Sequence, residues 1–230
     1  MRYTDILLDL DDTLIDTVEN TRLTLIELYD DYRFGNYFPS FADFYEIYFA
    51  NVSQLWELYG RGKITKATLQ RERFIAPLNS VEEITEEQAL AINDDFIERV
   101  MQKGTLINGA VDLLNYLQPR YKIHILSNGF TEMQYVKIKS AGLDDYFDKV
   151  ILSDEVGVNK PHPDLFSFAL KKIGTGTDNT IMIGDNLFTD IGGAYNSGID
   201  QVWFNPKNKP VKDFQPTYIV KELSEIKSIL

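Results

Sequence analysis

The sequence contains no cysteine, so disulfides, thiol nucleophiles and thiolate metal sites are excluded. That absence fits a reducing compartment, and a cytoplasmic location is expected. No apolar run is long enough to span a bilayer, and the N-terminus lacks a basic stretch followed by an apolar one. A membrane anchor and a secretory leader are therefore not expected. Positive charge is also scarce: 23 Lys and Arg face 35 Asp and Glu, a formal charge of −12. Binding to polymeric nucleic acid demands a basic surface and is not expected here. A small anionic substrate stays possible, provided its site carries its own cation. Nothing in the sequence points to a protein partner.

What is present is enough for a sizeable core. The 230 residues are 44% hydrophobic, which allows one large domain or a domain carrying an inserted module. The first apolar run, Ile6-Leu7-Leu8, reads as a buried strand and stops abruptly at Asp9-Leu10-Asp11-Asp12-Thr13. Strand alternation is expected to point Asp9 and Asp11 to one side and Leu10 away. Two carboxylates so close repel each other unless a cation or a proton relieves them.

From about Thr17 to Lys103 the pattern is helical. Ser40, Thr65 and Thr85 are expected N-caps, the last completed by Gln88 as a capping box. Twelve aromatics fall between Tyr29 and Tyr59, and Phe38, Phe41, Tyr45, Tyr48, Val52, Leu55 and Tyr59 follow steps of three and four. Such a stripe is expected to be buried, leaving off-stripe residues such as Phe44, Phe49 and Trp56 to face a substrate. From Thr105 strands and helices alternate. Strands are expected at Tyr121–Leu126, Lys149–Leu152, Thr180–Ile183 and Gln201–Phe204, with a short one at Tyr218–Val220 before a terminal helix. Helices are expected around Ala110–Leu117, Thr131–Ala141, Pro163–Ile173 and Thr189–Ser197. This alternation implies βαβ units and a parallel sheet covered on both faces.

Ligands of such sheets bind outside the carboxyl ends of the strands, and polar residues gather there. The second expected strand runs into Ser127-Asn128-Gly129, which is either an anion-binding turn or a plain loop. Lys160, restricted to extended backbone by Pro161, can offer an ammonium to phosphate or to a crowded carboxylate, or simply face solvent. Gly184-Asp185 follows the strand at Thr180–Ile183, with Asp190 about one helical turn further on; alone, this pair could merely cap a helix. His124 reads as a strand residue and His162 as a helix-entry surface residue, and neither is assigned a role.

The order Asp9-x-Asp11-x-Thr13, Ser127, Lys160 and Gly184-Asp185-x-x-x-x-Asp190 resembles the four motifs of the haloacid dehalogenase-like (HAD) hydrolase superfamily. The resemblance spans Asp9 to Asp190, and the helical insert lies where that superfamily carries its type C1 cap. It implies an α/β, doubly wound, Rossmann-like parallel sheet formed by residues 1–16 and 104–230, with a helical cap at 17–103. It implies Asp9 as the nucleophile forming an aspartyl-phosphate, and Asp11 as the acid and base that serves the leaving oxygen and then the attacking water. Mg²⁺ would be held by the Asp9 and Asp185 side chains and the Asp11 carbonyl, with Asp190 a ligand or its partner. Lys160, Ser127 and Asn128 would bind the phosphoryl group; Thr13 would hold position, with a hydrogen bond to substrate or to Asp11. Asp12 is expected to stabilise the turn.

Haloacid dehalogenation is disfavoured by the presence of Asp11, Asp185 and Asp190 together. Asp154–Pro161 and Gly198–Asn205 look like the YjjG/YfnB group of 5′-nucleotidases, which implies a small phosphate monoester, a nucleoside 5′-monophosphate, as substrate. A sugar-phosphate phosphatase or phosphomutase is the enzymatic alternative. A non-catalytic phospho-responsive module is the alternative of another class, and the long insert tells against it. The junctions at Leu14–Thr17 and Gly104–Asn108 are candidate hinges for cap closure.

Overall fold

The structure is a computed structural model that describes residues 2–211 and 213–230. Six strands form one wholly parallel sheet: β1 (Asp5–Leu8), β2 (Lys122–Ser127), β3 (Lys149–Leu152), β4 (Thr180–Gly184), β5 (Asp200–Phe204) and β6 (Tyr218–Val220). Their spatial order is β3-β2-β1-β4-β5-β6. The order reverses between β1 and β4, and the crevice outside that reversal is where open α/β sheets bind ligands.

The chain divides into two compact units, residues 1–17 with 104–230, and residues 18–103. The second is helical. It comprises α1 (Thr17–Asp31, which begins in the first unit), α2 (Phe41–Gly60), α3 (Lys66–Leu78) and α4 (Glu86–Val100). Ser40, Thr65 and Thr85 each accept a backbone N–H at a helix start, and Thr85 with Gln88 completes a capping box. The apolar stripe of α2 runs through Phe44, Tyr48, Val52, Leu55 and Tyr59. Phe44 is thus core rather than substrate-facing, in contact with Phe34 and Phe38, while Phe41 and Tyr45 are only half-buried. The step from Phe44 to Tyr48 carries the seam; starting it at Phe41 rotates it off the buried face.

In the first unit the sheet is covered by α5 (Ala110–Leu117), α6 (Thr131–Ser140), the single turn α7 (Ser153–Val156), α8 (Pro163–Ile173) and α9 (Gly193–Asn196). Ile6 and Leu8 share one core with Ile123, Ile125, Ile181 and Ile183, whereas Leu7 joins Leu126, Ile151 and Met182 under Leu165 and Phe166 of α8. Strand period two therefore splits one apolar run between two cores, at about 2 kcal/mol of transfer energy for each buried side chain. No helix among the described residues is long and apolar enough to cross a membrane.

Two expected helices differ. The segment expected from Thr189 starts as a π-helical turn at Leu187–Gly192, and only Gly193–Asn196 is α-helical. The terminal helix is a 3₁₀ segment at Leu223–Ser228. The two connections between the units run side by side: Asp16 donates to the Thr105 carbonyl, Ile107 donates to that of Leu14, and Ile15 bridges Leu106.

Candidate active site

The strand alternation expected through Asp11 stops earlier. β1 ends at Leu8, although the Asp9 N–H still reaches the Ile183 carbonyl at 2.9 Å. Beyond it Leu14 and Ile15 both donate to the Leu10 carbonyl, and Asp12 adopts φ 60°. Asp12 holds this turn as expected, its Oδ1 accepting the Thr17 N–H at 3.0 Å. The turn, not the pleat, orients Asp11.

Asp9 lies at the centre. It is buried, and its Oδ1 accepts a hydrogen bond from Lys160 Nζ at 2.6 Å. The same ammonium stands 2.7 Å from Asp190 Oδ1 and donates to the Leu126 carbonyl at 2.6 Å. Lys160 is 1% exposed, so the solvent-facing alternative is overturned. Its backbone is clamped by Asn128, which accepts the Lys160 N–H at 2.7 Å and donates to the Lys160 carbonyl at 3.0 Å. The Asn128 side chain thereby positions Lys160, and its amide keeps a second N–H. The sequence pointed the Thr13 hydroxyl at substrate or at Asp11; it donates instead to Asp9 Oδ2 at 3.2 Å.

Asp9, Asp185 and Asp190 each offer one carboxylate oxygen, the three lying within 4.8 Å of one another. Helix capping at this strand end is done by Asn186, whose Oδ1 accepts from Phe188 and Thr189, so the acids are released from that duty. Asp190 Oδ2 accepts the Asn186 N–H at 3.0 Å, leaving Oδ1 for Lys160. A Cβ at Gly184 would overlap the Asp190 carboxylate, which explains a glycine at the tip of β4.

The charges are strained. Burial pushes Asp9 up to about 7 against the pull of Lys160, with Asp190 acting alongside burial. Asp185 is raised well above the usual carboxylate range by burial and then by Asp190, Asp9 and Asp12. Lys160 is held above its ordinary value: burial opposes its charge, but Asp190 and Asp9 outweigh burial. One ammonium cannot balance three clustered carboxylates, and an all-oxygen set of this kind suits a hard divalent cation.

Asp11 has a different environment. Its Oδ1 accepts from Lys137 Nζ at 2.6 Å and from the Thr17 hydroxyl at 2.8 Å, and its Oδ2 accepts from Gln134 Nε2 at 2.7 Å. Burial would raise this carboxyl, but Lys137 and the hydrogen bonds lower it overall. Gln134 Nε2 also donates to Ser127 Oγ at 2.7 Å, and Ser127 Oγ accepts the Gly129 N–H at 3.0 Å. A hydroxyl oxygen has two lone pairs, so Ser127 is left with its O–H to donate to an anion. Gly129 is needed for the same arrangement, since a Cβ there would overlap Gln134. Sequence reasoning missed Gln134, Lys137 and Thr17. Gln134 and Lys137 stand one turn apart on α6 and both are buried, but that spacing by itself does not point to Asp11.

This arrangement is that of a known class of enzyme. The model of the haloacid dehalogenase-like hydrolases matches residues 6–198, and the chain belongs to that family. Among its relatives, the HAD-hydrolase YfnB of Bacillus subtilis is 32% identical, the match covering 100% of this chain and 96% of that protein. The pyrimidine 5′-nucleotidase YjjG of Escherichia coli is 35% identical over 82% of this chain and 83% of its own length. The pyrimidine 5′-nucleotidase PynA of Streptococcus pneumoniae is 31% identical over 98% and 94%. A crystal structure of YfnB, described as bound to magnesium and as revealing interdomain movement, matches with a TM-score of 0.89 at 29% identity, covering 100% of this chain and 99% of that one.

Proposed function

We propose that the protein is a Mg²⁺-dependent phosphatase of small phosphate monoesters, acting on nucleoside 5′-monophosphates and pyrimidine ones in particular. The observation that carries the reading is the convergence of Asp9, Asp185 and Asp190 with Lys160 Nζ beyond the ends of β1 and β4. The substrate class follows from similarity to YjjG and PynA, named as pyrimidine 5′-nucleotidases and matched over most of the chain.

Asp9 and Asp185, with Asp190 as ligand or partner and the Asp11 carbonyl, would hold the cation. When bound, Mg²⁺ supplies charge neutralisation for the carboxylates and the phosphoryl oxygens. A carboxylate oxygen of Asp9 attacks phosphorus, the ester P–O bond breaks, and its electrons go to the leaving oxygen, which takes a proton from the Asp11 carboxyl. Approach of a phosphate dianion favours that protonated form, because like charges nearby disfavour ionisation. Water then attacks the phosphoryl group and gives its proton to the Asp11 carboxylate. The acyl-phosphate bond breaks, returning Asp9 as carboxylate and releasing inorganic phosphate. Lys160 and the Ser127 hydroxyl hold phosphoryl oxygens throughout. The helical unit, inserted after β1, would act as the cap that selects the substrate.

A Mg²⁺-supplemented panel of nucleotides, sugar phosphates and a haloacid, scored by phosphate and halide release, tests this reading. Preference for pyrimidine nucleoside 5′-monophosphates supports it; activity confined to sugar phosphates overturns the substrate class, and halide release overturns the reaction.

A further inference from the structure

The Asp11 carboxylate offers about four lone-pair positions, and three are occupied. Thr17 and Lys137 fill both on Oδ1, and Gln134 fills one on Oδ2. Among the described residues no further donor reaches Asp11, so the remaining position is on Oδ2. That is the oxygen tied through Gln134 Nε2 to Ser127, whose hydroxyl accepts from Gln134 and Gly129 and so keeps its O–H to donate. Gln134 is fully buried and the Lys137 side chain is 10% exposed, so neither is a mobile surface group that happens to touch Asp11. Both lie on α6, Gln134 in its first turn and Lys137 in its last, at a spacing that puts both on one face.

We propose that Gln134 and Lys137 are positioning residues for the reaction: together they select Asp11 Oδ2 as the oxygen that exchanges the proton. Gln134 in addition fixes the Ser127 hydroxyl as a donor. Neither touches the reacting atoms. This inference rests on the reading of Asp11 as the acid that protonates the leaving oxygen. A merely structural ion pair between α6 and the β1 turn would affect every substrate alike. A positioning role affects substrates according to how much their leaving group needs the proton. An alkyl ester such as uridine 5′-monophosphate departs as a strongly basic alkoxide, whereas p-nitrophenolate departs without help.

The test measures kcat/KM, which covers attack and leaving-group departure, for uridine 5′-monophosphate and p-nitrophenyl phosphate in wild type, K137M, Q134M, K137R and D11N. Misplacing a catalytic group costs about 10–100-fold, so K137M and Q134M should lose about that on the nucleotide and at least about fivefold less on the aryl ester. K137R, which restores a cationic donor, should recover part of the nucleotide activity. D11N should show the same split, larger. Equal losses on both substrates in K137M and Q134M, or no loss, with a clear split in D11N, overturn the inference while sparing the role of Asp11. Absence of a split in D11N removes the reading of Asp11 and the inference with it. Remaining turnover of the aryl ester, with an unchanged far-ultraviolet spectrum, reports that each variant is folded.

Discussion

Asp9 and Lys160 meet at 2.6 Å in the protein interior although 151 residues separate them. The pair joins the first strand to the loop before α8 and shares its ammonium with Asp190. Taking Lys160 away leaves the buried carboxylates of Asp9 and Asp190 without their shared cation. Lys160→Met should therefore destabilise the metal-free protein by about 3–5 kcal/mol in urea unfolding. A loss under about 1 kcal/mol would mean the ammonium contributes little net stability.

Asp9→Asn removes a negative charge from the same crowd while keeping its shape. It should abolish phosphatase activity, a loss of about 10⁴-fold or more. The metal-free variant should melt no lower than wild type, since burial and Asp190 already press Asp9 towards neutrality. A variant that is inactive and unfolded would leave the nucleophile role without support from this substitution.

Stability should depend on pH and metal together. In the metal-free protein Asp9 has its pKa raised to about 7 from an ordinary 3.8. A group raised in the folded state contributes fully below its unfolded value, and that contribution is lost as pH rises through the folded one. Crowding among Asp9, Asp185 and Asp190 thus grows as pH passes 7, and a bound cation relieves it. Asp11, with its pKa lowered, has the opposite sign and contributes least in acid. The rise in Tm on adding Mg²⁺ should accordingly be small at pH 6 and larger at pH 8. A Tm shift equal at both pH values, or absent, contradicts the metal site.

In the helical unit, burial separates aromatics that look alike in sequence. Phe44→Ala should cost about 3–5 kcal/mol, because the ring is wholly enclosed by Phe34, Phe38 and Tyr48. Phe49→Ala, at a 39% exposed position, should change stability by no more than about 0.5 kcal/mol. Chemical denaturation of the two variants side by side decides this, and similar costs for both would contradict the assigned core.

The parallel sheet was legible because its strands are apolar runs, two of which, Ile6–Asp9 and Ile181–Asp185, end in an acid. Lys149–Leu152 and Pro163–Ile173 coincide with the expected elements, the second because proline and glycine mark its ends. Asp9, Lys160, Asp185 and Asp190 were legible as a set through their shared place at strand ends. The rest depended on contacts that no local pattern encodes. Gln134 and Lys137 find Asp11 from 123 and 126 residues away, and nothing near them in the chain says so. Local side-chain bonds overrode the helix pattern at Leu187–Gly192, where Asn186 caps and Asp190 turns back on the Asn186 N–H. Phe44 was misplaced because a stripe of three-and-four steps can be started at more than one aromatic, and only packing chooses between them.

Asp9 is proposed to take the phosphoryl group. Rapid acid quench during turnover of a nucleoside 5′-monophosphate with Mg²⁺, followed by borohydride reduction and peptide mass spectrometry, reads it directly. Residue 9 should be recovered as homoserine, the reduction product of an aspartyl-phosphate, and the signal should disappear when Mg²⁺ is withheld. Turnover with aspartate intact at position 9, or with the modification on another residue, would contradict it.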